Sequence, residues 1–493
     1  MKLKTLALSL LLSLAAASAF AEAQYQVRVP ANVKLTAPEA PQPPAEPILL
    51  ALSAEAPPVG MVGQPYEFNL LDRLTITGGS GSHNQSETAW SLKAGDTLPH
   101  GLSLSGSLIS GTPTVKNEAG TSFEVTGTYQ DASGQQVYTI IVNGMALRVT
   151  QIAAGPYHAC AVVAGGGLKC WGHNGSGRLG NGTTTDSLVP VDVSGLSSGV
   201  ASVAAADNHT CAVTTSGGVK CWGDNGGGQL GNGTPSAPIT TPVNVSGLSS
   251  GVASISAGVS HTCVVTTSGG AKCWGGNAHG QLGHGGAENS STTPVNVSGL
   301  TSGVASITAA DYHTCALTTA GGMKCWGRDL FGQLGNGGTN TDTRTPVDVS
   351  GLAAGVSSID LRYNKTCAVV SGEVKCWGLG FQNTPANVAG LSSGIASVAM
   401  GNWHTCALTT EGGVKCWGSD GFGQLGDDAT KADKASPVFV SGLTSGAVKI
   451  VSGQEYTCAL MSNQDLKCWG RNNFGQLGNG DKIDQPTPVK SLP

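Results

Sequence analysis

The chain has 493 residues, a formal net charge of −5 and only 12% charged residues, about half of the share usual in globular proteins. This slightly acidic balance excludes the basic stripe that nucleic-acid binding requires, and it argues against docking on an anionic membrane surface. The 73 glycines indicate many tight turns, so the composition favours a soluble all-β protein.

The first 21 residues have the pattern of a secretory signal peptide. Lys2 and Lys4 precede an apolar core at residues 6–17, and a small-x-small cleavage site follows at residues 19–21. The apolar run is too short to span a membrane, and nothing later is long enough. We therefore expect an exported protein without membrane insertion, located outside the cell, at the cell surface or in the periplasm.

Two segments follow the signal peptide. Residues 22–58 are rich in Pro and Ala and are predicted to be an extended linker. Residues 59–143 contain no Cys, and their short apolar runs are separated by turn residues, which predicts a small β-sandwich. Within this segment WSLKAGDTLPHGLSLSGSLISGTPT (90–114) and the preceding VGMVGQPYEFNL resemble the immunoglobulin-like, cadherin-like modules of bacterial surface proteins. The resemblance implies a spacer or adhesive module.

From about residue 147 the chain consists of seven repeats with a period of about fifty residues. Each repeat carries two cysteines placed symmetrically about a Gly-containing turn, which predicts a β-hairpin. Because opposed residues of a hairpin lie close together, we expect a disulfide within each repeat; free thiols, or zinc, which prefers shorter Cys spacings, are the alternatives. The expected pairs are Cys160–Cys170, Cys211–Cys221, Cys263–Cys273, Cys315–Cys325, Cys367–Cys376, Cys406–Cys416 and Cys458–Cys468.

Each hairpin is followed by a Gly-rich loop such as WGRNNFGQLGNG (469–480), then by a Pro-Val strand and a run of small residues. Four strand-like pieces per repeat predict a seven-bladed β-propeller over residues 147–493, so the expected fold is all-β, with this propeller preceded by the small sandwich. The first repeat has no Pro-Val strand before it, and the chain ends with one at residues 488–492. We therefore expect the C-terminal strand to complete the first blade and leave no open sheet edge.

The repeat unit, with G-x-x-H-T-x-A-L and W-G-x-N-x-x-G-Q-L-G, resembles that of the RCC1 family (regulator of chromosome condensation). The resemblance covers residues 147–493 and implies a seven-bladed propeller, but it does not imply one function. Nuclear members exchange guanine nucleotide on a small GTPase and bind nucleosomes, whereas exported bacterial members include a propeller that inhibits β-lactamases through loops on one face. An exported, slightly acidic chain is closer to the second kind.

Five repeats carry a histidine two positions before the first cysteine, at His158, His209, His261, His313 and His404, and the other two carry Lys365 and Tyr456. A ring of imidazoles would suit a metal or proton transfer, but Lys365 would interrupt it. We expect a repeated structural hydrogen bond instead. No Ser, His and Asp trio stands apart, and no phosphate-binding loop is present, so catalytic residues, metals and cofactors are not predicted.

The two positions before this histidine vary between repeats and would share one propeller face near the axis. Aromatic side chains mixed with Asp, Asn and Glu are typical of protein-binding surfaces, although a short turn also tolerates variation. The candidate partner-binding residues are Tyr157, Asp207, Asn208, Asp311, Tyr312, Tyr363, Asn364, Asn402, Trp403 and Glu455. A second variable ring is expected to pack within its loop and comprises Ser176, Gly227, His279, Phe331, Phe422 and Phe474.

The leading functional hypothesis is a monomeric, exported binding protein that presents this face to a protein, or in second place to a glycan. The alternative is an extracellular glycan-cleaving enzyme, which needs two converging carboxylates at the channel mouth. Asp207, Asp311 and Glu455 are the candidates for that pair. Guanine-nucleotide exchange, implied only by the family resemblance, fits an exported chain least well.

Overall fold

The structure is a computed structural model that describes residues 46–62, 64–79, 82–114, 117–143, 147–427 and 431–492. The predicted signal peptide (1–21) and most of the predicted linker (22–58) lie outside these residues. Within them the regular elements are β-strands, apart from two short 3₁₀ helices, Leu70–Arg73 and Gln85–Glu87. No helix in these ranges is long and apolar enough to cross a membrane. The prediction of an all-β fold is confirmed.

The N-terminal module is built from three sheets around one core. The four-stranded sheet runs in the order Gly60–Met61, Ala132–Asn143, Asn117–Tyr129 and Ala89–Leu92, the three-stranded sheet in the order Tyr66–Asn69, Leu108–Gly111 and Leu102–Ser105, and the two-stranded sheet pairs Leu49–Leu52 with Leu74–Thr77. In the core, the rings of Phe68 and Tyr138 pack edge to face at 5.3 Å. The strand Leu49–Leu52 precedes residue 59, so the module begins earlier than the sequence suggested.

Seven four-stranded antiparallel sheets follow, and we call them blades 1 to 7, with strands a to d from the central channel outwards. The a strands are Val149–Ala154, Val200–Ala205, Val252–Ala257, Val304–Ala309, Val356–Arg362, Ile395–Met400 and Ala447–Ser452. The b strands are His158–Val163, His209–Thr214, His261–Thr266, His313–Thr318, Lys365–Val370, His404–Thr409 and Tyr456–Met461. The c strands are Leu168–Gly172, Val219–Asn225, Ala271–Gly276, Met323–Gly327, Glu373–Gly378, Val414–Gly418 and Leu466–Gly470. The d strands are Ser187–Asp192, Ser236–Asn244, Ser290–Asn296, Thr343–Asp348, Ala386–Asn387, Lys434–Phe439 and Gln485–Lys490.

The C-terminal strand completes blade 7 and not blade 1, so the predicted mode of closure was wrong. Each Pro-Val strand pairs with the hairpin that precedes it: Val489 lies opposite Cys468 in blade 7, as Val191 lies opposite Cys170 in blade 1. The ring closes by contacts between two complete blades instead: the a strands of blades 7 and 1 are in contact, Tyr456 shares a hydrophobic core with blade 1, and its hydroxyl donates to the His158 carbonyl. Both ends of the propeller therefore carry complete blades.

Seven disulfides join strands b and c, one in each blade, which confirms the predicted pairing of all fourteen cysteines. The sulfur atoms are 2.05–2.12 Å apart and the Cα atoms 4.1–4.2 Å apart. Each bridge spans directly opposed residues in the buried part of the blade. The bridges tie strands that are already paired, so they oppose local opening of a blade rather than choosing the fold.

Neighbouring blades are joined by a Gly-x-Leu-Gly turn that follows strand c, and we call it the clasp turn. It occurs at residues 177–180, 228–231, 280–283, 332–335, 423–426 and 475–478, in every blade except blade 5. The carbonyl of its second residue accepts a hydrogen bond of 2.8–3.0 Å from the indole N–H of the next blade. The pairs are Gln476 with Trp171, Arg178 with Trp222, Gln229 with Trp274, Gln281 with Trp326, Gln333 with Trp377 and Gln424 with Trp469.

The glycines of the clasp turn are required by its geometry. In blade 1 both Gly177 and Gly180 have φ of 71°, a left-handed conformation that glycine adopts without steric cost. A Cβ on Gly180 would lie 2.6 Å from the Nε1 atom of Trp222. Between the glycines Leu179 is fully buried, so the turn supplies an apolar side chain as well as a carbonyl to the next blade.

Candidate functional site

The turns between strands a and b converge at one end of the central channel. Six of the ten predicted partner-binding residues line a single cavity of about 290 Å³ there, which we call the channel mouth. These six are Tyr157, Asp207, Asp311, Tyr312, Tyr363 and Asn402. Their common position follows from the propeller, because equivalent turns of all blades lie on one face.

The other four predicted residues have different environments. Trp403 is 48% exposed at the rim, and Asn208 donates a hydrogen bond of 2.7 Å to the Asp207 carboxylate. Glu455 is held outside the channel mouth by an ion pair with Arg471 at 2.5 Å. Asn364 is only 2% exposed, because its side chain points inward and accepts a hydrogen bond from Gln333 of blade 4. Asn364 is therefore part of the framework and is removed from the candidate surface.

Three aromatic residues from blades 4, 5 and 6 form what we call the aromatic patch: Tyr312, Tyr363 and Trp403. The rings of Tyr363 and Trp403 are in contact, with centroids 5.9 Å apart, and the Lys365 ammonium lies 5.5 Å from the Trp403 centroid. Tyr363 has φ of 53°, and such strain in a non-glycine residue is tolerated where the surrounding structure enforces it, often at functional sites. The patch borders the channel mouth.

The second variable ring packs against the first and not only within its own loop. His279 meets the ring of Tyr312 at 5.4 Å, and Phe474 meets the ring of Tyr157 at 5.6 Å. Arg328 lies over Tyr312 at 5.2 Å. The expectation for this ring was therefore incomplete, since these side chains support the half-buried Tyr157 and Tyr312 and limit the rotamers that partner binding would have to freeze.

Arg362 is a lining residue of the channel mouth that the sequence argument missed. Its Nε donates a hydrogen bond of 3.1 Å to the Asn402 side chain. Burial raises the pKa of the nearby Asp311 carboxyl, and the positive charge of Arg362 opposes that rise only in part. The signal was present in the fifth repeat, which reads IDLRYN and has Arg362 where every other repeat has Gly or Ala.

Arg362 occupies a position that carries Gly or Ala in every other blade. In blade 6 the equivalent residue is Gly401, where a Cβ would lie 2.2 Å from the imidazole of His404. Blade 5 has Lys365 in place of that histidine, and its side chain turns towards Trp403 instead. The two changes together place a guanidinium at the channel mouth.

The five histidines are structural, as expected. Their Nε2 atoms lie 2.7–3.0 Å from a threonine hydroxyl of the next blade, in the pairs His158–Thr210, His209–Thr262, His261–Thr314, His313–Thr366 and His404–Thr457. Where the hydroxyl donates to a clasp-turn carbonyl, as Thr262 does to Gln229 at 3.0 Å, the imidazole must donate from Nε2. Burial lowers the pKa of His261 to about 3, so this ring is neutral near pH 7. In the described part of the chain, no group of three or more His, Cys, Asp or Glu side chains is arranged to hold a metal ion.

Comparison with protein families gives two assignments. Models of the "Regulator of chromosome condensation (RCC1) repeat" match residues 149–178, 200–229, 252–281, 304–333, 395–424 and 447–476, and in a second version residues 166–213, 216–265, 269–317, 411–460 and 468–493. A model named "Putative Ig domain" matches residues 47–143. The second match starts close to the first strand of the N-terminal module.

Among curated proteins, the chain is 32% identical over 360 residues to the ultraviolet-B receptor UVR8 of Arabidopsis thaliana, covering 69% of this chain and 81% of that protein. It is also 32% identical over 239 residues to the mitochondrial RCC1 domain-containing protein RUG3 of the same plant, covering 46% of this chain and 53% of that protein. The crystal structure of human WBSCR16 matches with a TM-score of 0.60 at 24% identity, covering 66% of this chain and 95% of that one, and supports the propeller fold. The chain therefore belongs to the regulator of chromosome condensation (RCC1) repeat family.

Proposed function

We propose that this chain is an exported binding protein that presents the channel mouth and the aromatic patch to a protein partner. The observation that carries the proposal is the convergence of Tyr157, Tyr312 and Tyr363 with Asp207, Asp311 and Asn402 around one cavity. The few residues that dominate the binding energy of protein interfaces are enriched in Trp and Tyr, and polar groups around them can orient the partner. A receptor among the relatives, UVR8, fits a binding role in general.

Export is supported by two independent features of the chain. The N-terminal 21 residues have the pattern of a signal peptide, and all fourteen cysteines are paired. Disulfides persist in oxidising compartments and are rare in the cytosol. The two named plant relatives do not indicate export of this chain, because RUG3 is described as mitochondrial and UVR8 as a light receptor.

The test combines capture of a partner with alanine substitutions at two similarly exposed aromatic residues. The exported protein is used to capture partners from surface extracts. The affinity of a captured partner is then measured by titration with the wild type and with the Trp403→Ala and Phe439→Ala variants. Both side chains belong to blade 6 and are similarly exposed, at 48% and 49%, but Phe439 lies on the outermost strand. Loss of a central aromatic anchor typically costs about 2 kcal/mol or more, roughly thirtyfold in affinity, so Trp403→Ala should weaken binding by that order.

Phe439→Ala should leave the affinity unchanged, and neither variant should shift the melting temperature much, because both side chains are exposed. Equal affinity of wild type, Trp403→Ala and the Tyr312, Tyr363, Trp403 triple alanine variant would refute the proposed face. A large fall in melting temperature with Trp403→Ala would show that this residue is framework.

A glycan-cleaving enzyme remains the second candidate, and one observation favours it. Asp207 and Asp311 line the same cavity, and burial raises the pKa of Asp311, as a general acid requires. Glu455 does not join them, because it pairs with Arg471. Cleavage of a glycan by the wild type, lost in Asp311→Asn, would favour this function over binding.

A further inference from the structure

The junction between blades 5 and 6 lacks the clasp-turn contact that joins every other pair of neighbouring blades. Blade 5 has no clasp turn, since its chain runs from Gly378 to strand d through LGFQNTP. The next blade nevertheless keeps the tryptophan that a clasp turn would meet. Among the described residues the Trp417 indole N–H has no hydrogen-bond partner, and the side chain is 7% exposed, whereas the other six equivalent tryptophans are fully buried.

A second group at the same junction is also unpartnered. Thr405 occupies the position of the threonines that bind a histidine of the preceding blade and a clasp-turn carbonyl. Lys365 replaces the histidine and lies against Trp403, so the Thr405 hydroxyl has no partner among the described residues. Thr405 is 8% exposed, whereas Thr210, Thr262 and Thr314 are fully buried.

An open cavity of about 490 Å³ stands where the clasp turn would sit. It is lined by Trp403, Gly418, Ser419, Asp433, Lys434 and Ala435. Gly418 pairs with Lys434, as Gly327 pairs with Thr343 in blade 4, so Ala435 is the counterpart of Arg344. In blade 4, Arg344 contacts the first glycine of the clasp turn of blade 3, since a Cβ on Gly280 would be 2.8 Å from the Arg344 Cα. We call this cavity the vacant seat.

The junction of blades 7 and 1 shows that a lost histidine–threonine pair can be compensated. Blade 7 has Tyr456 in place of the histidine, and blade 1 has Ala159 in place of the threonine. The longer tyrosine reaches over the alanine, and its hydroxyl lies 2.7 Å from the His158 carbonyl and 3.0 Å from the Gly155 carbonyl. At the junction of blades 5 and 6 no such compensation exists within the described residues, and two polar groups stay open to a ligand.

We propose that the vacant seat binds a Gly-x-Leu-Gly turn of a partner protein. The six occupied seats define this chemistry: two left-handed glycines allow close approach, a leucine is buried between them, and the intervening carbonyl accepts the indole N–H. Trp417 directly precedes the lining residue Gly418, and Thr405 lies two residues after the lining residue Trp403. These two side chains would supply the two donors to an inserted turn. A second copy of this chain is a poor source of the turn, because its own six clasp turns are already engaged.

This proposal rests on the proposed binding function and specifies which element of the partner binds, since Trp403 belongs to the aromatic patch and also lines the vacant seat. A partner that inserts a turn beside Trp403 would gain directional hydrogen bonds in addition to aromatic contacts. Strands b and c of the blades on both sides of the seat are joined by disulfides, which restrict their movement when a loop inserts.

The probe is the acetylated, amidated peptide RNNFGQLGNG, which copies residues 471–480, titrated into the full chain with its disulfides intact. We expect saturable one-to-one binding that is weakened at least about tenfold when the glycines at 475 and 478 are alanine in the peptide, because alanine disfavours the left-handed conformation. Trp417→Phe keeps the ring and removes the donor, so it should weaken binding about fivefold. Trp274→Phe, at an occupied seat, should not change the affinity.

A graft provides the reverse test. Replacing residues 379–382 by residues 328–343 of blade 4 gives blade 5 a clasp turn of its own, which should fill the seat, abolish peptide binding and leave the melting temperature at or above that of the parent. Absence of binding up to about 1 mM peptide would overturn the proposal, because a few buried contacts should give an affinity that is measurable in this concentration range. Equal binding to the graft, or binding of a glycan but not of the peptide, would also overturn it.

The peptide titration tests the vacant seat, and the titration of the natural partner tests the aromatic patch, so the two proposals can fail separately. If Trp403→Ala loses the natural partner but no peptide binds, the aromatic patch stands and the vacant seat falls. If the peptide binds the wild type and not the graft, while Trp403→Ala keeps the natural partner, the seat stands and the patch falls.

Discussion

Replacing His261 by Gln is expected to lower by one the number of protons that the propeller takes up when it unfolds in acid. The His261 ring is fully buried and donates from Nε2 to Thr314 at 2.8 Å, while its Nδ1 atom has no partner in the described part of the chain. A proton on Nδ1 would therefore be a buried, unpaired charge. This is why burial lowers the pKa of His261 to about 3, from an ordinary value of 6.5.

The sign of the effect follows from these two pKa values. Between pH 6.5 and about 3 the unfolded imidazole binds a proton and the folded one does not, so acid favours unfolding. The stability contribution is complete above pH 6.5 and is lost as the pH falls towards 3. In this window each such ring adds about 1.4 kcal/mol per pH unit to the slope of the unfolding free energy, which amounts to about 2 kcal/mol at pH 5.

The measurement is urea unfolding under non-reducing conditions between pH 7 and 4, followed by tryptophan fluorescence. All nine tryptophans except Trp90 lie in the propeller, so the signal reports that domain. Glutamine keeps a donor near the Nε2 position, so His261→Gln should have nearly the wild-type stability at pH 7. Its slope below pH 6.5 should be smaller by about 1.4 kcal/mol per pH unit.

The matched control is His100→Gln, because His100 lies outside the propeller and is exposed. It should leave the slope of the propeller transition unchanged. An unchanged slope in His261→Gln would refute the argument, since the ring would then bind protons equally in the folded and unfolded states. A large loss of stability at pH 7 would show instead that the imidazole is needed for its shape.

Three further predictions concern the framework. Thiol titration of the denatured, unreduced protein should find essentially no free thiol, and bridges between different repeats would contradict the structure. Tyr456→Phe removes the hydroxyl that joins blades 7 and 1 and should cost about 1–2 kcal/mol of unfolding free energy. Tyr363→Phe should cost little, because the half-buried Tyr363 hydroxyl makes no hydrogen bond to the described residues; equal costs would show that the closing bond is weak. Trp274→Phe breaks an indole–carbonyl bond of 2.9 Å and Trp417→Phe breaks none, so denaturant unfolding should show the first to be less stable by about 1 kcal/mol.

The candidate site could be predicted from the sequence only in part. The internal comparison of repeats identified the turn that faces the channel mouth, because a fixed period places equivalent positions on one face. It could not show that Asn364 points inward, because its hydrogen-bond partner Gln333 belongs to the preceding blade and lies 31 residues away in the chain. It also missed Arg362, because the charged residues Asp360 and Arg362 of this innermost strand indicate no site until the strand is placed beside the channel.

Local features of the fold follow directly from the sequence. The cysteine pairs, the hairpin turns and the glycine spacing act over about ten residues, where chain geometry leaves few alternatives. The count of seven repeats likewise sets the number of blades. These are short-range constraints, and the structure confirms the hairpins, the disulfides and the all-β propeller.

The tertiary structure alone decided how the repeats are joined. A Pro-Val strand between two hairpins can pair with either of them, and only the three-dimensional register shows that it pairs with the preceding one, so the C-terminal strand completes blade 7. In the same way, the histidines bind threonines 52 or 53 residues further along the chain, a separation at which sequence carries no distance information. The vacant seat is visible for the same reason: LGFQNTP is merely a short loop in the sequence, and it becomes an empty binding position only when the next blade packs beside it and leaves Trp417 without a partner.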